Sequence, residues 1–244
     1  GRDKSISDLE KDFDAIFLGI GSTASNEVKI EGEKSSNVYF AIDFLTGIQK
    51  RNLGNKNVNY IDVKDKKVVV IGGGDTAMDC VRTSVREGAE TVKCLYRRDE
   101  ANMPGSKKEV VNAKEEGVEF VFNVSPKSIK VENDLAVGVE LLETSMSKSD
   151  TSGRQKVVLI EGSEYLEEAD VIILALGFSP EVPAFLKELN VETNSWGGIV
   201  VDSNFKTSNK KVYAGGDCQR GAHLAVTAAV DGREAAKTII KELL

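Results

Sequence analysis

The chain has 244 residues, with 32 Lys+Arg against 39 Asp+Glu and a formal charge of −7. Apolar residues at 41% and charged residues at 29% suffice for a core and exclude a disordered chain. The acidic balance, without a basic run, argues against nucleic acid or an anionic membrane as partner, and the longest apolar run, residues 171–178, is far short of the roughly 20 residues that span a bilayer.

The three cysteines, Cys80, Cys94 and Cys218, include no C-x-x-C pair. They cannot build a disulfide framework, and a reducing, cytoplasmic setting is expected. Residues 1–12 are polar and charged, unlike a secretory leader. The apolar run 14–19 reads as a buried strand, which needs neighbours on both sides. Nothing upstream supplies them, so the expectation is a piece of a longer protein, with an open apolar sheet edge and poor solubility when made alone; the alternative is a processed or tag-derived start on a complete domain.

Further along, 68–71 is a β-branched strand followed by three glycines. Residues 75–87 read as a helix closed by Gly88, 91–96 as a strand, 106–116 as a helix closed by Gly117, and 118–122 as a strand. This alternation predicts an α/β fold with a parallel, doubly wound sheet. The middle lacks helices. Strands over 128–132, 137–144 and 157–165, with a polar hairpin loop at 145–155, predict an antiparallel insert. A buried strand returns at 171–176. A helix at 182–189, short strands at 198–201 and 211–214, and a long helix over 222–244 complete the chain.

The sequence Gly72-Gly-Gly-Asp-Thr-Ala77 is a G-x-G-x-x-A turn between a strand and a helix. In that context Gly72 permits the tight turn, Gly74 lets the backbone approach a pyrophosphate, and Ala77 allows close helix–strand packing. The helix start, with Asp75 and Thr76, faces the phosphates; Asp75 is read as a cap or as a brace for neighbouring backbone, with capping preferred. Where an NAD-binding fold places an acid for the ribose, this chain has Arg97 and Arg98. Two guanidiniums suit a 2′-phosphate and favour NADP(H). Two alternatives stand beside this reading: the arginines pair only with Asp99 and Glu100, or a one-residue shift puts Asp99 at the ribose.

Residues 212–217, Val-Tyr-Ala-Gly-Gly-Asp, precede the last helix and resemble the second FAD motif of the glutathione-reductase-like flavoproteins. Together with residues 14–21, 72–84, 96–105 and 112–120, they make the chain similar to the small (beta) subunit family of NADPH-dependent glutamate synthases. The individual pieces are shared with related NADPH:ferredoxin-type oxidoreductases.

The resemblance implies a Rossmann-like, two-dinucleotide-domain flavoprotein. Residues 1–45 would end the first flavin-domain segment and cross over. Residues 46–180 would form an NADP(H)-binding domain with the insert, and 181–244 the C-terminal flavin-domain segment. It implies FAD at Gly21, Gly216, Asp217 and the helix start Ala225, Val226 and Thr227, with the nicotinamide near Gly177. Hydride would pass from NADPH to FAD without a catalytic side chain. Electrons would leave through iron–sulfur clusters, held upstream or on a partner since no cysteine here has cluster spacing, to the glutamate synthase large (alpha) subunit, which makes glutamate from glutamine and 2-oxoglutarate. A sibling subunit with another acceptor and a non-catalytic NADP(H)-binding module are the other readings. Cys218, where the family implies an aliphatic residue, is read as a small buried hydrophobe, and His223 as a capping or surface residue.

Overall fold

A computed structural model describes residues 3–148 and 155–244. In chain order the first elements are α1 (Ile6–Asp12), β1 (Ile16–Leu18), β2 (Ala24–Ser25), β3 (Val38–Phe40), α2 (Ala41–Asn52), β4 (Lys67–Ile71), α3 (Asp75–Arg86), β5 (Thr91–Tyr96), α4 (Lys107–Glu115) and β6 (Glu119–Phe122). Then come β7 (Val124–Glu132), β8 (Leu135–Met146), β9 (Val157–Leu159), β10 (Tyr165–Glu168), β11 (Val171–Leu174), β12 (Phe178–Ser179), α5 (Phe185–Glu188), β13 (Val212–Ala214), α6 (Asp217–Arg220) and α7 (Ala225–Leu243). The chain divides into two units, Ser25–Gly177 and a discontinuous one made of Gly1–Ala24 and Phe178–Leu244.

In the unit Ser25–Gly177, five parallel strands lie in the order β3-β11-β4-β5-β6. From β3 through β4 and β5 to β6 the chain advances in one direction across the sheet. Right-handed crossovers that all move one way put their helices on one face. Phe44 and Ile48 of α2, Met78 and Val81 of α3, and Val110 and Ala113 of α4 accordingly pack on Val68, Val70, Cys94 and Ile173. The alternate residues Val69, Ile71, Leu95, Ile172 and Leu174 point to the other face. There they meet not helices, as in the expected double winding, but Val124, Ile129, Val139 and Leu141 of the antiparallel sheet. That sheet runs β10-β8-β7, with β9 also on β8. Asn37 fastens the layers: its amide donates to the carbonyls of Ala136 and Asp170 at 2.8 Å each, and its oxygen accepts the Ala136 N–H at 2.8 Å.

In the other unit β1 and β13 pair in parallel, Ile16 with Val212 through Leu18 with Ala214. Leu18, Leu186, Leu189, Ile199, Val212 and Cys218 form its core.

Several expectations are corrected. The strand expected over 157–165 breaks into β9 and β10 at a turn that carries Gly162 with φ +80°. The helix expected over 182–189 is the single turn of α5, since Pro183 lies ahead of it. Residues 198–201 make only an isolated bridge, Thr193 with Ile199. The last helix starts at Ala225, because Gly221 has φ +86° and Leu224 is extended. The hairpin loop shrinks as β8 reaches Met146, and residues 149–154 lie outside the described residues. Helices α1 and α2 and strand β3 were not expected.

Candidate functional site

The chain order reverses between β4 and its neighbour β11, and ligands of open α/β sheets bind beyond the strand ends at such a point. A groove of about 800 Å³ lies there, lined by Gly72–Gly74 after β4, Ala175–Gly177 after β11 and Leu95–Arg98 at the end of β5. The three glycines are there for different reasons. At Gly72 φ is +151°, and a Cβ would stand 2.2 Å from the Ala175 carbonyl oxygen; at Gly73 it would strike the Tyr96 ring at 2.4 Å. At Gly74 it would meet nothing within 4 Å. The protein itself therefore has no steric need for glycine at position 74.

Gly74 is the N-cap of α3 and supplies no side-chain cap. Thr76 lines the groove, and Ala77 is fully buried beneath it. Asp75 does not cap its own helix. Its carboxylate accepts the Ser106 N–H at 2.7 Å, while the Gly105 N–H donates to the Gly73 carbonyl at 3.0 Å. The 105–106 loop is thus clasped to the glycine turn. One turn on, Asp79 has its carboxyl pushed up by burial, with Asp75 and Glu109 adding to the effect.

Arg97 and Arg98 follow β5 into the groove. Their backbone is pinned from the antiparallel layer, since the Thr144 hydroxyl donates to the Arg97 carbonyl at 3.0 Å and the Asn123 N–H to the Arg98 carbonyl at 3.1 Å. Neither guanidinium has a carboxylate partner among the described residues. The Arg98 Nε is buried and has no hydrogen-bond partner among the described residues. Asp99 and Glu100 are engaged elsewhere, by Asn102 and Lys114. Burial pushes the Tyr96 phenol up, against the opposing pull of Arg98 and Arg97. At the other end of the groove Gly177 has φ +83°, and its carbonyl accepts the Asn26 N–H at 3.1 Å. Thr144, Asn123 and Asn26 carried no signal in the sequence, because each acts on the site from a distant stretch of chain.

The second group of expected residues lies in the other unit. Gly21 and Gly216 have φ +74° and +75°. The Ser22 hydroxyl donates to the Asp217 carbonyl at 3.1 Å, and one Asp217 carboxylate oxygen accepts the His223 N–H at 3.2 Å. The exposed His223 ring lies 2.9 Å from the Thr227 hydroxyl. Ala225 and Val226 are exposed and Thr227 is half-buried, in a helix start with no side-chain cap. Beneath them is a pair that sequence reasoning missed. The buried Asp231 carboxylate accepts the Gly216 N–H at 2.9 Å and the Arg220 Nε at 2.9 Å.

All three thiols are buried. Burial pushes the Cys80 thiol up and the Cys94 thiol up to about 12. The Cys218 thiol donates to the Gly215 carbonyl at 3.3 Å. Among the described residues no group of His, Cys, Asp and Glu is arranged to hold a metal ion, and no helix is long and apolar enough to cross a membrane.

Residues 3–232 match the family described as pyridine nucleotide-disulphide oxidoreductase. The chain is 47% identical to the glutamate synthase [NADPH] small chain of Escherichia coli, over all of this chain and 53% of that protein. It is 35% identical to the NADPH-Fe(3+) oxidoreductase subunit beta of Geobacter sulfurreducens, over all of this chain and 39% of that protein. The chain thus spans about half, or less, of the length of these relatives. Among solved structures it resembles FprA of Mycobacterium tuberculosis in complex with NADPH, with a TM-score of 0.80 at 18% identity, over 98% of this chain and 66% of that one.

Proposed function

The chain belongs to the pyridine nucleotide-disulphide oxidoreductase family, and from that premise we propose that it is the NADP(H)-binding part of a flavin oxidoreductase, the small subunit of an NADPH-dependent glutamate synthase. The observation that carries the nucleotide reading is the pair Arg97 and Arg98, uncompensated by any carboxylate among the described residues, at the mouth of a glycine-lined groove.

The groove's own features fit the nucleotide. The open space beside Gly74 leaves room for a pyrophosphate, and the start of α3 favours an anion through its dipole. The unpartnered Arg98 Nε and the Arg97 guanidinium suit a 2′-phosphate. Asp75 holds the 105–106 loop against the glycine turn, and Thr144 and Asn123 hold the arginine backbone in register. Gly177 would lie beside the nicotinamide. The groove draws on residues of the expected domain 46–180 and also on Asn26, Glu27, Val28 and Ile30, which precede it.

For FAD, the fitting residues are Gly216, Asp217 and the uncapped helix start Ala225–Thr227, with Gly21 on the other segment. Asp217 has one carboxylate oxygen committed to His223, which leaves the other for a ribityl hydroxyl. FAD bound there would supply acceptance of hydride from NADPH and onward release of electrons. This chain's residues would bind and orient; none is assigned as acid or base. The Cys80 and Cys94 thiols, pushed up by burial, are unlike the thiolates that hold iron–sulfur clusters. Such clusters are assigned to parts of the whole protein outside this chain or to the large subunit, with which a cytoplasmic complex forms glutamate.

Parallel calorimetric titrations with NADP⁺ and NAD⁺ test the nucleotide reading. NADP⁺ binding at least about tenfold tighter is expected, a difference of about 1.4 kcal/mol. Preference for NAD⁺ overturns it. The match to the Geobacter protein favours a second reading, an NADPH oxidoreductase with a different acceptor. Glutamine-dependent glutamate formation by the whole protein with its large subunit separates the two.

A further inference from the structure

The loop after β5 reads Arg97-Arg98-Asp99-Glu100, two cations followed at once by two anions. Left to themselves, flexible neighbours of opposite charge pair, and the positive field at the groove would be cancelled. The fold prevents this with two separate catches. Asp99 Oδ1 accepts the Asn102 backbone N–H at 2.9 Å and the Asn102 side-chain amide at 2.8 Å. Asn102 is in turn held by the Tyr96 hydroxyl, which donates to its carbonyl at 2.9 Å. Glu100 accepts from the Lys114 ammonium at 2.7 Å. Lys114, on α4, is itself placed over the Phe120 and Phe122 rings, 5.7 and 5.9 Å from their centroids, and those rings stack on each other. Both carboxylates are therefore drawn off while both guanidiniums stay without an anion among the described residues.

We infer that Lys114, with Asn102, determines dinucleotide specificity at one remove: it sequesters Glu100 so that Arg97 and Arg98 remain available to a ligand's 2′-phosphate. The inference rests on the NADP(H) reading above. Lys114 is a positioning residue. It acts on the arginines through a carboxylate, so its effect must vanish when that carboxylate is removed. A nucleotide lacking the 2′-phosphate is indifferent to the state of the arginines and must be indifferent to Lys114.

The test is calorimetric titration of NADP⁺ and NAD⁺ at low ionic strength, where exposed charges are least screened, into the wild type, Lys114→Met, Lys114→Arg, Glu100→Gln and the Lys114→Met/Glu100→Gln double variant. Methionine keeps an apolar stem over the two rings and removes the charge. Lys114→Met is expected to weaken NADP⁺ about threefold, the scale of a surface ion pair, with NAD⁺ unchanged. Lys114→Arg is expected to restore the wild-type ratio, and the double variant to bind NADP⁺ as tightly as Glu100→Gln alone. If Lys114→Met leaves the NADP⁺/NAD⁺ ratio unchanged, the inference is overturned. It is equally overturned if Lys114→Met weakens NADP⁺ as much in the Glu100→Gln background, because Lys114 would then act as a direct charge. A wild type that does not prefer NADP⁺ instead overturns the underlying nucleotide reading, and is told apart from both.

Discussion

The carboxylate of Asp231, on α7, reaches across to the backbone N–H of Gly216 at 2.9 Å. The same carboxylate takes the Arg220 guanidinium in a two-pronged ion pair. One buried anion thus fixes a left-handed glycine and the end of α6 together. Removing it leaves a backbone donor and a charge without partners. Because the Arg220 side chain is 35% exposed, the loss is below that of a fully buried pair. Asp231→Ala is expected to destabilise the chain by about 2–4 kcal/mol, read from the shift of its urea midpoint. Arg220→Lys, which keeps a cation but loses the two-pronged geometry, should cost only part of that.

Gly72 and Gly74 should respond in opposite ways to one added methyl group. Gly72→Ala drives a Cβ into the Ala175 carbonyl and should cost more than about 2 kcal/mol of stability. Gly74→Ala meets open space with φ −90°, so stability should stay within about 0.5 kcal/mol of wild type. Its effect should appear only in binding. NADP⁺ and NAD⁺, which share the pyrophosphate, should each lose about tenfold. Thermal melts alongside calorimetry separate the two effects, and normal binding by Gly74→Ala would remove the pyrophosphate from this turn.

The arginines should discriminate where Gly74 does not. Arg97→Ala and Arg98→Ala are each expected to weaken NADP⁺ about 10- to 100-fold, the worth of a charge-assisted hydrogen bond. NAD⁺ affinity should hardly move. An equal loss for both nucleotides would mean that the arginines serve the common part of the ligand.

Glu116 links α4 to α3. Its carboxylate accepts from Arg82 Nε at 3.0 Å and from Arg86 at 2.8 Å. The Arg82 bond chiefly, opposed by burial and helped by Arg86, holds its carboxyl below the ordinary 4.5. The folded chain therefore binds this proton less readily than the unfolded chain. The resulting stability is present above about pH 4.5 and fades as pH falls through the lower folded value. Glu116→Gln should flatten the acid limb of the stability curve in that window, as urea midpoints at stepped pH would show. A parallel curve displaced by a constant amount would contradict the assignment.

The elements around the glycine turn were legible because period and punctuation agree there: a β-branched run, three glycines, then an amphipathic helix closed by Gly88. Helix α2 was not, and Gly47 explains why. A Cβ at that position would stand 2.3 Å from the Asn59 carbonyl oxygen. Its glycine is required by a close backbone approach, yet in sequence it reads as a helix breaker. Helix α1 was open to detection, since Ser5 caps it through the Asp8 N–H, but only Ile6 of it is buried. The one-sided placement of helices needs the strand order, which no local pattern carries.

The candidate site divides in the same way. Arg97 and Arg98 could be found in sequence, but their freedom from Asp99 and Glu100 is decided by Asn102 and Lys114. Asp75 read as a cap or a brace with the cap preferred, and it braces the Ser106 backbone. Asp231 and Arg220 lie 11 residues apart, on two helices. Nothing in their spacing marks them as a pair.

Strand β11 sits between β3 and β4 yet is the last strand of its sheet in the chain. During synthesis β4, β5 and β6 can assemble through local crossovers, while β3 has no partner until residue 174 has been made. The groove floor, Ala175–Gly177, follows directly behind. Completion of the sheet and birth of the groove are therefore one late, long-range event, of the kind that slows folding. Pulse-labelled hydrogen exchange during refolding should find the amides of β5 protected before those of β11, with NADP⁺ affinity appearing in step with the latter.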